Sequence, residues 1–148
     1  MPNNSTNPPA RKQKRNVALF GTMATRWREL LTPSIRRCGY DVIDNMDVRW
    51  LSATTAEEIL PLLEQDLSLM RTADVILWHH DGDSHGHTAR IELGILSRLG
   101  IPILVHVDPG VSSREYMRAL TIVFRERMHW METVDDIVVT LRDLTTRS

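Results

Sequence analysis

The stretch that decides the fold runs from Ala73 to Pro109: ADVILWHH (73–80), DGDSHGHT (81–88), ARIELGILSRLG (89–100) and IPILVHVDP (101–109). It reads as a strand, a polar loop, a helix and a second strand. Val75, Ile76, Leu77 and Trp78 form one continuous apolar run of strand length, and Ile101, Pro102, Ile103, Leu104 and Val105 form another. Runs that are apolar on both faces suit parallel strands covered by helices on either side. Glu92 breaks the pattern between them. On a wheel of about 100° per residue starting at Ile91, Ile95 falls at about 40°, Leu99 at about 80° and Leu96 at about 140°. Glu92 falls at about 100°, inside that apolar arc. A carboxylate turned inward at the carboxyl end of a parallel strand is a candidate nucleophile or general base. The structural alternative is a helix-start glutamate bonded to free backbone amides.

Outward from this centre, the chain repeats the same alternation. Val17 to Phe20 is a short apolar strand closed by Gly21 and Thr22. Thr25 can cap a helix carrying Trp27, Leu30, Leu31, Ile35 and Cys38 on one side, and Pro33 predicts a kink or a restart with Thr32 as cap. Gly39 closes that helix. Tyr40 to Asp44 mixes apolar and polar residues like a strand near a sheet edge, and Asn45 to Ala53 is a loop. From about Thr55, Ile59, Leu62, Leu63, Leu67 and Met70 mark an amphipathic helix with Glu57 and Glu58 at its positive end, although Pro61 falls near its start. After the central stretch, Ser112 or Ser113 can cap a short helix through Met117, and Leu120 to Phe124 reads as a fifth, edge strand. The last helix is expected from about Thr133 to Leu144, with Val134, Ile137, Val138 and Leu141 inward. Five strands alternating with helices predict a three-layer α/β sandwich around a mainly parallel sheet.

At 148 residues the chain suits a single domain from 17 to 148, preceded by a disordered basic arm over 1–16 that is rich in Asn, Pro, Ser and Thr. The net charge of -1 is uneven. Arg11, Lys12, Lys14 and Arg15 hold four of the 18 basic residues, leaving 14 against 19 acids. An acidic body argues against a nucleic-acid surface on the fold. No apolar run approaches the ~20 residues of a membrane span. The polar N-terminus and the single cysteine, Cys38, point to a cytoplasmic protein without a disulfide framework. Cys38 itself reads as inert packing.

In an open parallel sheet, ligands bind beyond the carboxyl ends of the strands. The loops there carry the chemically active residues. Gly21 and Thr22 offer free backbone amides, but neither a Walker lysine nor a GxGxxG motif is present. Trp27 and Trp50 are candidate stacking walls, with a core role as the alternative. The loop HHDGDSHGHT brings four histidines and two aspartates together. Its histidines lack the i, i+4 spacing of helical metal motifs, and His79 and His80 point to opposite strand faces. The loop therefore reads as a ligand-contacting loop without metal, in which Asp81 and Asp83 can meet sugar hydroxyls or a base edge.

Taken together, VALFGTMATRWREL (17–30), VIDNMDVRW (42–50), ADVILW (73–78) and TARIELGILSRLGIPILV (88–105) resemble the nucleoside 2-deoxyribosyltransferase family, in its smaller, divergent branch. The resemblance implies a flavodoxin-like fold with strand order 2-1-3-4-5 and cleavage or transfer at the N-glycosidic bond of a nucleoside or nucleotide. It implies Glu92 as the nucleophile that forms a glycosyl-enzyme, with Asp81 or Asp83 assisting. It also implies that Gly21 and Thr22 line the base or sugar pocket and that Trp27 or Trp50 walls it; Asp47, His85, His87 and Thr88 are further candidates for the substrate site, although the histidine-rich loop is not a hallmark of the family. No cofactor is expected, and a homodimer or larger homo-oligomer is. Gly86 stands where the better-known branch has an acid six residues before its nucleophile, so the proton-transfer partner stays open. Two other functions suit the same residues. One is a non-catalytic nucleotide-sensing module tethered by RKQKR, and the other is a metal-dependent hydrolase using the histidine loop.

Overall fold

A computed structural model describes residues 14–21, 26–44, 47–81 and 100–146. Its sheet has five strands: β1 (Asn16–Gly21), β2 (Asp41–Asp44), β3 (Val75–His80), β4 (Ile103–Val107) and β5 (Met128–Trp130). The spatial order is β2-β1-β3-β4-β5, and every neighbouring pair is parallel. Four described helices flank it: α1 (Trp27–Arg37), α2 (Ala56–Thr72), α3 (Arg114–Val123) and α4 (Val134–Thr146). A short 3-10 turn spans Val48–Leu51. The α/β class is as the sequence pattern predicts, and the flavodoxin-like order is as the family resemblance implies. Among the described residues, no helix is long and apolar enough to cross a membrane.

The two-residue period of the strands divides the core into two layers. Val17, Leu19, Val75, Leu77 and Leu104 face α1 and α4, where they meet Trp27, Leu31, Ile35, Ile137 and Leu141. Ala18, Phe20, Ile76, Trp78, Ile103 and Val105 face the other way, onto Met70 of α2 and Met117 of α3. The central strands β3 and β4 are buried along their whole length, which explains their unbroken apolar runs. The edge strand β2 is half-buried at Val42 and Ile43 and exposed at Asp41 and Asp44.

The helix ends follow local chemistry. Thr55 accepts from the Glu58 amide at 3.2 Å and caps α2. The Thr133 hydroxyl accepts from the Asp136 amide at 3.2 Å, while Asp136 accepts from the Thr133 amide at 2.9 Å, a reciprocal cap for α4. β1 begins at Asn16, and Arg15 just before it donates to the Leu144 carbonyl at 3.0 Å.

Several expectations are corrected. Leu120 to Phe124 is not the fifth strand. It completes α3 and its C-cap, with Met117 and Thr121 buried and Ile122 and Val123 exposed. The β-branched run suggests a strand, but the i, i+4 pair Met117 and Thr121 fixes the helical period. The fifth strand is Met128–Trp130, in register with Ile103, Leu104 and Val105. Pro33 neither breaks nor restarts α1, which stays continuous through it, and the Thr32 hydroxyl donates to the Arg28 carbonyl instead of capping. Leu30 is 73% exposed because it lies about 60° outside the arc that Trp27, Leu31, Ile35 and Cys38 share. Leu63 and Val134, both expected inward, are exposed. Pro61 is accommodated inside α2. The expected helix carrying Glu92, the Thr25 cap and residues 1–13 of the arm expected over 1–16 lie outside the described residues.

Candidate functional site

The alternation of β3 sends its two terminal histidines to opposite faces. His80 goes to the α2–α3 face, where its ring lies 5.9 Å from that of Trp78. His79 follows Val75 and Leu77 to the α1–α4 face. There its ring lies 4.8 Å from Trp27 of α1, tilted by 51°. It lies equally close, 4.8 Å, to His106 of β4, almost coplanar in orientation at 7°. His79 and His106 are register partners across two parallel strands. Their Nδ1 atoms are 2.7 Å apart, so one ring donates and the other accepts.

Each histidine is followed two residues later by an aspartate on the same side. Asp81 Oδ2 is 3.6 Å from His79 Nε2. Asp108 Oδ1 is 3.9 Å from His79 Nε2 and 3.8 Å from His106 Nδ1. Both rings are buried, while Asp108 is half-exposed at the mouth. Burial, reinforced by the neighbouring His106, pushes the His79 pKa down to about 4 despite the nearby aspartates. Burial also pushes His106 down, opposed by Asp108 and assisted by Arg114. Both imidazoles are therefore neutral near pH 7.

The third strand of the group contributes an absence of side chain. Gly21 ends β1 opposite His79, with φ +126°. A Cβ there would collide with the His79 carbonyl oxygen. Only glycine allows the ends of β1 and β3 to come this close. On the far side, Arg114 braces the end of β4. It donates to the Val107 carbonyl at 3.2 Å and to Glu132 at 2.6 Å, and it lies over the Trp130 ring at 5.2 Å. The Trp130 indole donates to the same carboxylate at 2.7 Å.

Of the residues that the sequence nominates, Gly21, Trp27 and Asp81 meet around His79. Asp47 is committed elsewhere: it accepts from the Arg49 amide at 3.0 Å and from the Arg49 guanidinium at 2.6 Å. These bonds hold its carboxyl down at about 2. Trp50 is half-buried on the Val48–Leu51 turn beside it. Thr22, Asp83, His85, His87, Thr88 and Glu92 lie outside the described residues. The sequence reading misses His106 and Asp108. The signal was present, because HVD (106–108) repeats the His-x-Asp spacing of HHD (79–81) at the end of the next parallel strand. Such a floor, with two neutral imidazoles flanked by two carboxylates, can accept hydrogen bonds from hydroxyls, pass a proton or hold a cation.

No protein-family model matches the chain, and no curated protein matches it. Among solved structures, it is similar to a 2-deoxyribosyltransferase from the psychrotolerant bacterium Bacillus psychrosaccharolyticus, with a TM-score of 0.59 and 16% identity over 85% of this chain and 95% of that one. It is also similar to a conserved protein from Enterococcus faecalis V583, with a TM-score of 0.64 and 14% identity over 88% of this chain and 99% of that one. A CMP N-glycosidase from Clostridium botulinum aligns with a TM-score of 0.49 and 16% identity. At these identities the likeness is one of fold. The chain shares the five-stranded parallel α/β fold of these structures.

Proposed function

We propose that the protein is an enzyme that cleaves or transfers the N-glycosidic bond of a nucleoside or nucleotide. The observation that carries this reading is the agreement of two independent likenesses. The strand order and layers match a 2-deoxyribosyltransferase over 95% of that chain, and the ELG motif stands where the resemblance places a nucleophile. Further support comes from the carboxyl edge of the sheet, where Gly21, Trp27, His79 and Asp81 converge. That edge is the ligand-binding side of an open α/β sheet.

In this mechanism Glu92 attacks the anomeric carbon as the bond to the base nitrogen breaks. The departing base takes a proton from Asp81, Asp83 or a histidine of the same loop. Water or a second base then attacks the same carbon, gives its proton back to that group, and releases the Glu92 carboxylate. Thr22, Trp50, His85, His87 and Thr88 are proposed to surround the sugar and base. Asp47 has a smaller part, because its carboxylate is already engaged by Arg49.

Incubating the purified chain with a panel of deoxynucleosides and nucleotides, with and without a second free base, tests the reading by chromatography. Base release or exchange is expected, with Glu92→Gln slower by at least about a thousandfold. No turnover across the panel, or a Glu92→Gln variant as active as the wild type, would overturn it.

A further inference from the structure

Two His-x-Asp triplets, His79-His80-Asp81 and His106-Val107-Asp108, end the two central strands in register. We propose that His79, His106, Asp81 and Asp108 form a binding site for one divalent transition-metal ion, with zinc the best match to two imidazoles and two carboxylates.

The geometry comes first. The donor atoms of His79, His106 and Asp108 all lie within 4.8 Å of one another, and Asp81 Oδ2 is 3.6 Å from His79 Nε2. Donors around a tetrahedral zinc stand roughly 3.3 Å apart, so loading draws the carboxylate contacts in by about half an ångström and the widest separation by about 1.5 Å, through side-chain rotation. The backbone beneath is the most buried part of the sheet and stays in place. Charge also matches, because two carboxylates balance a dication beside two neutral rings. Trp27 covers His79 and keeps water from that side.

Loading exchanges one bond for another. In the metal-free arrangement, the nearby carboxylates favour a proton on His79 Nε2, which leaves His79 Nδ1 to accept from His106 Nδ1 at 2.7 Å. A metal held by His79 Nε2 and His106 Nδ1 removes both protons from those atoms and moves them to the opposite ring nitrogens. The ring–ring hydrogen bond is replaced by metal ligation, and both histidines change tautomer.

The test uses tag-free full-length protein stripped with chelator, titrated with Zn2+ by calorimetry and with Co2+ by visible absorption. One ion per chain is expected, with the strong absorption bands of four-coordinate Co2+ and a tautomer change at two histidines in nitrogen-15 spectra. Asp108→Ala, at a half-exposed position that tolerates the change, and His106→Leu each weaken Zn2+ binding by about tenfold or more. His129→Asn, on an exposed residue of β5, and the double variant His85→Asn/His87→Asn keep wild-type affinity. The proposal is overturned by the absence of saturable binding, by Zn2+ affinity unchanged in Asp108→Ala and His106→Leu, or by binding lost in the double loop variant. It stands apart from the glycosidic reading, since metal binding and base release are measured separately and either can fail alone.

Discussion

His79 and His106 share a hydrogen bond of 2.7 Å between their Nδ1 atoms, across two parallel strands and 27 residues of sequence. Both rings are buried, so a second proton on either one costs the desolvation of an imidazolium charge.

A pH dependence follows for the metal-free protein. The His79 imidazole titrates near its ordinary 6.5 when unfolded and at about 4 when folded. Between those values the unfolded chain binds more protons. Stability is therefore full above about pH 6.5, falls as the pH drops, and levels off below about 4. For His79 the loss is on the order of 3 kcal/mol. Urea unfolding in chelator at stepped pH checks it: His79→Leu should flatten the slope across this interval. A slope unchanged by that substitution would show that His79 does not carry it.

Gly21→Ala should be far more damaging than Gly39→Ala. Both glycines have positive φ, +126° and +93°, but nothing lies within 4 Å of a Cβ at Gly39. Gly39→Ala carries only backbone strain, about 1–2 kcal/mol. Gly21→Ala adds a collision with the His79 carbonyl and should cost about 4 kcal/mol. Denaturant midpoints of the two variants give the comparison, and equal losses would contradict the close strand approach.

Arg28 is buried on α1, with its guanidinium 4.6 Å from the Trp27 ring centroid and its Nε 3.1 Å from Asp44 at the end of β2. Asp44→Ala leaves that cation buried without this carboxylate and should cost about 2 kcal/mol, less than a fully buried pair because Asp44 is half-exposed. A double-mutant cycle with Arg28→Met isolates the coupling. Additive losses would mean that the two charges do not depend on each other.

Much of the architecture was legible in the chain itself. Continuous apolar runs at Val75–Trp78 and Ile103–Val105 identify buried parallel strands, because only strands covered on both faces lack polar alternation. The segment Leu120–Phe124 departs from its local pattern for a related reason. Its β-branched residues favour a strand locally, but burial of Met117 and Thr121 against the sheet imposes a helical period that propensity alone does not reveal.

The site divides in the same way. Gly21, Trp27 and Asp81 are visible in the sequence because each closes, opens or follows a recognisable element at the carboxyl edge of the sheet. His79 is visible only as one histidine among four in its loop. What it pairs with depends on the register that sets β3 beside β4, and that register is a property of the assembled sheet. Sequence periodicity determined the layers, the parallel sheet and its carboxyl edge. Tertiary structure alone decided that His79 meets His106, because strand pairing joins residues by their position across the sheet rather than along the chain.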